Sequence, residues 1–296
     1  MTTETILEVK PNKTIIPLTF DRAFICVFNK EKNISILEHF ISTYLKLPLE
    51  KVKGHLKLLS RDLELDHKQE RQKQIDILLD LDGRKINIEL NNNNTAGILE
   101  RNIVFASKIH GRQLKKSDND YSKIEQTIQI NLNNFSCNET NLIESYYLTN
   151  EEGKRLSEKL RIDFVDIAKA TKKRYNESEE ELARWLRILT STTLEELERE
   201  LGEDLMDNDS KDKLLEEVER YSEDDEMIAM YSYYTKEELE KNTMLIEAKQ
   251  EGIKEGKIEG IKERNVEIAK SMLNKGMDIT TISEITGLTK EEIEKL

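Results

Sequence analysis

The chain has 296 residues, of which 35% are charged and 37% hydrophobic, and its formal net charge is −13. That length allows one large domain or two ordinary ones. No stretch nears the roughly 20 apolar residues of a membrane helix, residues 1–17 lack the basic start and apolar run of a secretion signal, and Cys26 and Cys137 form no metal-type cluster, so a reduced cytoplasmic protein without a membrane partner is expected.

Charge is unevenly divided. Residues 1–136 hold 21 Lys and Arg against 18 Asp and Glu, a net of +3, whereas residues 137–296 hold 25 against 41, a net of −16. Phosphate-binding work therefore belongs to the first half, because an acidic surface repels nucleic acid.

In chain order, residues 18–45 suggest one or two helices. Phe20, Phe24 and Phe28 repeat every four residues, and Ile34, Leu37, Ile41 and Leu45 recur at three- and four-residue spacing. The Leu47-Pro48-Leu49 step interrupts the run, and His55–Leu59 looks extended. Residues 74–81 and 85–91 are period-two strands, with apolar residues at 75, 77, 79 and 81 and at 86, 88 and 90. Asp82-Gly83 between them signals a tight hairpin, since Gly tolerates positive φ. Residues 95–114 read as a helix with Ile98, Ile103, Phe105, Ile109 and Leu114 as core candidates. Thr127–Leu132 alternates again as a strand, and 143–148 and 160–165 are weaker strand candidates. This order of helices and strands predicts a layered α/β domain over residues 1–175.

After about residue 175 the pattern is helical almost throughout: 179–190, 194–201 and 211–221 within a helical region 176–235. Residues 236–265 read as a long charged helix or a flexible linker, and carry Gly252, Gly256 and Gly260 on one helical face extended backwards by Ala248. Each Gly costs a helix about 1 kcal/mol relative to Ala, a cost that packing against a second helix would offset; both readings stand. Residues 266–296 suggest a small three-helix unit built on Ile268, Met272, Leu273, Ile279, Ile282, Ile285, Leu288, Ile293 and Leu296, with a capping box at Thr289–Glu292 and helix stops at Gly276 and Gly287.

The hairpin carries the chemistry. A two-residue turn at Asp82-Gly83 pairs Leu81 with Arg84 and, counting outwards, Asp76 with Glu89 and Gln74 with Asn91. Side chains in such pairs stand about 5 Å apart at Cβ. Opposed carboxylates repel, and a divalent cation relieves that repulsion; Mg²⁺ favours carboxylate oxygens while keeping several waters. Those waters suit metal-assisted phosphodiester hydrolysis. The plainer reading of the pair is two solvated acids on an exposed strand face. Arg101, Lys108, Arg112, Lys115 and Lys116 make the following helix and its exit basic and are candidate DNA-backbone contacts. Lys68, Arg71 and Lys73 precede the first hairpin strand. His39, His55, His67 and His110 have no metal-ligand spacing, and surface or core roles are expected for them.

Asp76 followed by a short turn and Ile88-Glu89-Leu90-Asn91 resembles the core motif of PD-(D/E)XK nucleases. More narrowly, the chain resembles the Rpn family of recombination-promoting nucleases and putative transposases, also described as PD-(D/E)XK nuclease family transposases. The segments that carry this are residues 20–28, 75–78, 82–89, Arg101 with 107–114, and 127–131, with weaker likeness in 247–252 and 285–288. The resemblance implies a restriction-endonuclease-like core with a helical C-terminal region, and a Mg²⁺-dependent deoxyribonuclease, with Mn²⁺ as a substitute, linked to recombination or mobile elements. It implies that Asp76 and Glu89 bind the ion, with Asp21 as a further acidic contact, and that the residue two after Glu89 helps orient the attacking water. That residue is usually Lys, and often Gln in the Rpn branch; here it is Asn91, which carries no charge. Lys85 and Arg101 are candidates to supply it. The departure keeps a second reading open, a nuclease-fold protein that binds DNA or protein without cutting. A third is a helical scaffold that forms a homo-oligomer through its C-terminal helices. The last unit is helix-turn-helix-like in outline, yet its final helix, Lys290-Glu-Glu-Ile-Glu-Lys295, is acidic for a major groove, which favours protein contact.

Overall fold

A computed structural model of the chain describes residues 13–63, 73–114, 120–137, 141–172, 175 and 177–296. His67, Lys68, Arg71, Lys115 and Lys116 lie outside them. The chain divides into two compact units, Met1–Ile228 and Ala229–Leu296.

In the first unit, α1 (Asp21–Phe28) and α2 (Ile34–Leu45) are followed by β1 (Leu56–Leu58), β2 (Asp62–Leu63), β3 (Lys73–Gln74), β4 (Ile77–Leu81) and β5 (Arg84–Asn91). Then come α3 (Ile98–Gly111), β6 (Thr127–Asn133), β7 (Ile143–Tyr147) and β8 (Leu160–Asp166). The helices α4 (Ile167–Ala170), α5 (Glu177–Thr190), α6 (Leu194–Leu201) and α7 (Asn208–Ser222) close the unit's core. Among the described residues the main sheet has six strands in the order β1-β4-β5-β6-β8-β7. β5, β6 and β8 are parallel, and β1, β4 and β7 run against their neighbours. β5 reaches β6 through α3, the usual crossover for parallel strands.

The two faces of this sheet differ in chemistry. On one, Ile88 and Leu132 meet Phe24, Phe28, Leu37, Phe40, Trp185 and Leu189 around a small interior space. Phe40 and Trp185 pack edge to face at 5.5 Å. Helices α1, α2 and α5 thus cover the apolar face that the strand periodicity predicts. The other face lies under α3 and is polar: Asn87, Glu89, Asn91, Thr127, Gln129, Asn131 and Asn133 are all buried. Buried amides are costly unless bonded, and these bond one another. Asn87 Nδ2 donates to Gln129 Oε1 at 2.8 Å, Gln129 Nε2 to Asn131 Oδ1 at 3.0 Å, and Asn131 Nδ2 to the Asp163 carbonyl at 2.9 Å.

Three local expectations are corrected. Ile75 does not share the face of Ile77; it packs with Leu78, Phe105 and Ile109 on the α3 side. The chain bends at Asp76, before β4 begins, and the bend turns the preceding residues over. For the same reason Gln74 leaves the hairpin and pairs with Asp62 in a separate two-stranded sheet rather than opposite Asn91. Ile103 is not a core residue of α3, being 52% exposed, because the sheet-facing stripe runs through Ile98, Asn102, Phe105, Ala106 and Ile109.

Helix α8 (Asp225–Asn274), most of which belongs to the second unit, runs on as one helix through Gly252, Gly256 and Gly260, and a Cβ at any of the three would meet nothing within 4 Å. The end of α8 joins α9 (Ile279–Thr286) and α10 (Lys290–Ile293) around Ala269, Ile282, Leu288 and Ile293, with Val266, Met272, Leu273 and Ile279 against them. The Thr289–Glu292 capping box forms, and the helices stop at Gly276 and Gly287. Ile285, at 61% exposed, is not part of this core, and neither Ile268 nor Leu296 is buried. No described helix is long and apolar enough to cross a membrane.

Candidate active site

The site begins with the turn. Asp82 and Gly83 both take positive φ, 50° and 91°, the conformation of a two-residue hairpin whose twist matches its strands. Register follows: Leu81 faces Arg84, Leu79 faces Ile86, and Ile77 faces Ile88. One step further out, Asp76 and Glu89 meet. The Asp76 backbone N–H donates to Glu89 Oε1 at 3.2 Å, and the Leu90 N–H donates to Asp76 Oδ2 at 2.9 Å. Each carboxylate therefore reaches across to the other's strand. Asn87 Nδ2 gives Glu89 a further hydrogen bond at 3.1 Å.

Burial sets the electrostatics. Glu89 is 5% exposed. Its carboxyl is pushed up to about 8, first by burial and then by the Asp76 charge beside it, against the pull of the Asn87 amide, the Asp76 N–H and Arg101. Burial also raises Asp76, while the Leu90 N–H, Arg61 and Arg101 pull it down. Two acids sharing one poorly solvated spot cannot both ionise without compensation.

Asn91 closes the strand. Its Nδ2 donates to Asn133 Oδ1 at 3.0 Å, and its Oδ1 accepts from Arg101 Nη2. The position two after Glu89 thus holds an arginine from α3. The other cation considered, Lys85, is committed to Asp80 near the turn, at the opposite end of the hairpin. Asp21 approaches through Asn92, whose Nδ2 donates to Asp21 Oδ1 at 2.9 Å and to the Thr19 carbonyl at 2.8 Å. Among the described residues no group of three or more His, Cys, Asp or Glu is arranged to hold a metal. The protein's fit to a cation rests on the Asp76–Glu89 pair and on nearby neutral oxygens. Among the described residues, Asn87 Oδ1 and both amide atoms of the fully buried Asn102, on the sheet-facing side of α3, have no hydrogen-bond partner. Unpaired buried polar atoms mark where water or an ion is expected.

Lys108 and Arg112 follow Arg101 at intervals of seven and four residues, along one stripe of α3 and its C-cap. His39 and His55 pair with Asp207 and Asp82, and His110 with Thr127. Sequence reasoning missed Arg61, whose Nε donates to the Ile75 carbonyl at 2.8 Å, one residue before Asp76. An isolated arginine far from a motif carries no periodic signal. The amides of Asn87 and Gln129 were missed because a polar residue on an alternating strand reads as solvent-facing.

Residues 18–248 match the family described as PD-(D/E)XK nuclease family transposase. Residues 262–296 match the family described as Rpn/YhgA-like nuclease family, C-terminal HTH domain. No curated protein and no solved structure matches the chain. With an acid pair set across a hairpin of a mixed sheet and a match over most of its length, the chain belongs to the PD-(D/E)XK nuclease family transposases and carries the family's C-terminal helix-turn-helix domain.

Proposed function

We propose that the protein is a Mg²⁺-dependent DNA endonuclease, with Mn²⁺ as a substitute, whose ion is held by Asp76 and Glu89 with Asp21 nearby in support. The observation that carries this is the pair itself: two buried carboxyls share one spot, and burial, with the Asp76 charge beside it, pushes the Glu89 carboxyl up to about 8. A divalent cation bound there supplies the charge that draws a phosphodiester oxygen and acidifies a water. To hold such an ion Glu89 would have to give up its proton to solvent. Arg101, fixed by the Asn91 side-chain oxygen, presents its guanidinium to the anion that develops at the phosphorus, the part a motif lysine plays elsewhere. Asn91 orients both Arg101 and, through Asn133, the end of β6. The DNA backbone is followed by Arg101, Lys108 and Arg112, with Lys115 and Lys116 beyond. Both cysteines are free, which suits the reducing cytoplasm.

The test is a cleavage assay of the pure protein with Mg²⁺, Mn²⁺ or chelator, comparing wild type with Asp76→Ala. Metal-dependent strand scission lost in the variant is expected; DNA left intact after prolonged incubation rejects the reading. A second reading, binding without cutting, is favoured by Asn91, whose side chain is fully engaged by Asn133 and Arg101. Measurable metal-dependent turnover eliminates it.

A further inference from the structure

Arg101 is one cation beside the acid pair, and Arg61 is another. We propose that Arg61 is a second phosphate-gripping arginine of this site, which donates to the phosphodiester seated at Asp76 and Glu89 from the side opposite Arg101. This rests on the reading of that pair as a phosphodiester site.

Backbone pairing puts Arg61 in place. The Leu59 N–H donates to the Leu78 carbonyl at 2.8 Å, and the Ile75 N–H donates to the Arg61 carbonyl at 3.2 Å. Residues 59–61 therefore run alongside 75–78, past the bend at Asp76. In the sheet, β1 borders β4 on the edge away from β5. Arg61 thus approaches Asp76 from the β1 side, while Arg101, held by Asn91 at the end of β5, approaches from the other. The Arg61 side chain is partly buried and fixed, because its Nε donates to the Ile75 carbonyl at 2.8 Å. That bond uses one nitrogen. Among the described residues, the Nη1 and Nη2 fork has no hydrogen-bond partner.

Both arginines stand near the acids without being consumed by them. Burial raises the Asp76 carboxyl, and the Leu90 N–H, Arg61 and Arg101 pull it back. Yet among the described residues neither arginine forms an ion pair with Asp76 or Glu89: Arg61 bonds a carbonyl and Arg101 an amide oxygen. An arginine whose work was to neutralise a buried acid would close onto it, since a charge pair gains most at contact. Held short of the carboxyls, the two guanidinium groups keep their positive charge available to an anion. Formal charge selects that anion. Two carboxylates and one divalent ion cancel. A phosphodiester brings one negative charge, and attack by hydroxide at phosphorus places a second on the non-bridging oxygens. Arg101 offsets one and Arg61 the other. The guanidinium fork also matches the spacing of two phosphate oxygens, which a lysine does not.

The experiment uses the full chain and a short labelled DNA duplex, with binding read by fluorescence anisotropy. With Ca²⁺ in place of Mg²⁺, Arg61→Ala is expected to bind roughly 10-fold more weakly than wild type, as loss of one charged hydrogen bond warrants. Its salt slope should fall by about one. With chelator the two proteins should bind alike, because a phosphate reaches Arg61 only when an ion cancels the acids. Arg61→Lys should restore the salt slope, which counts charge, and only part of the affinity. In thermal melts at pH 8, Arg61→Ala should keep the Mg²⁺ shift of wild type, since both acids remain. An equal loss with Ca²⁺ and with chelator puts Arg61 on a remote phosphate and overturns the proposal. So does a lost Mg²⁺ shift, which would make Arg61 a prop for the bend at Asp76. Parallel Mg²⁺ cleavage separates the two readings. Cutting at the wild-type rate by Arg61→Ala, with its binding unaltered, removes the arginine and leaves the nuclease. A Ca²⁺-dependent loss in a protein that never cuts removes the nuclease and leaves Arg61 as a phosphate contact.

Discussion

Glu89 links stability to pH with a definite sign. Its folded value, about 8, lies above its ordinary 4.5. Between those values the folded chain holds a proton that the unfolded chain has released, so the stabilisation is complete below about 4.5 and gone above about 8. The metal-free protein should therefore melt at a lower temperature at pH 8 than at pH 6, and Mg²⁺ should recover most of the loss at pH 8. Glu89→Gln should flatten that part of the profile and abolish the Mg²⁺ effect. Thermal melts at the two pH values, with and without the ion, check this; identical profiles for wild type and variant would remove the acid pair as a cation site. Arg101 gives a second prediction. Loss of one donor aimed at developing negative charge costs about 10²- to 10³-fold in kcat. Arg101→Ala should show that drop with a smaller change in KM, and Arg101→Lys should recover part of it. An unaltered kcat in Arg101→Ala would return the missing charge to some other residue.

At the scale of elements, the hairpin turn and α3 determine whether the site exists. Gly83 takes φ 91°, and a Cβ there would come within 3.0 Å of Glu125 Cγ. Gly83→Ala should destabilise the protein by about 1–2 kcal/mol, the cost of a left-handed L residue, read as a lower urea midpoint with an unchanged slope. A variant as stable as wild type would mean that the turn relaxes without strain. Helix α3 presents its cations in a row. Removal of Lys108 or Arg112 should weaken DNA binding evenly across sequences and reduce the salt slope by about one for each phosphate left without its cation. Titrations at several salt concentrations measure that slope, and a slope unmoved by either substitution would place the DNA-backbone cations elsewhere.

For the whole molecule, the question is how an acidic chain handles DNA. The first 136 residues are net +3 and hold the acid pair and the arginine, while the rest is net −16. Along α8, Leu239, Ile246, Ile253, Ile261 and Ile268 recur at seven- or eight-residue spacing, and each of the first four is at least half exposed. Aliphatic residues at heptad spacing are how helices of separate chains meet. We expect the protein to self-associate through this stripe. Light scattering should give a multiple of the 34.6 kDa chain mass, and Ile246→Glu with Ile253→Glu should return it to that mass. A monomeric wild type at working concentrations would refute the expectation. The helix-turn-helix match covers residues 262–296, where acidity had favoured protein contact. The four-residue α10 offers Lys290 beside Glu291 and Glu292, and α9 carries Glu284 and no basic residue.

Much of this protein was legible in its residues because the signals were periodic and local. Alternation at 77–90 marked the strands, Asp82-Gly83 the turn, and the turn's length set Asp76 against Glu89, since a side-chain period of two leaves register little freedom. The ordered segments also carried the family resemblance that residues 18–248 and 262–296 bear out. What needed tertiary structure was everything that joins distant parts of the chain. The bend at Asp76 flips Ile75 to the α3 side, and no pattern announces a bend. Arg101 and Arg61 reach the acid pair from a helix and a loop, so their distance to it depends on how α3 crosses the sheet. Burial raised Glu89 to about 8. That requires a whole helix laid over a polar face, because a carboxylate's charge is costly only where water has been excluded.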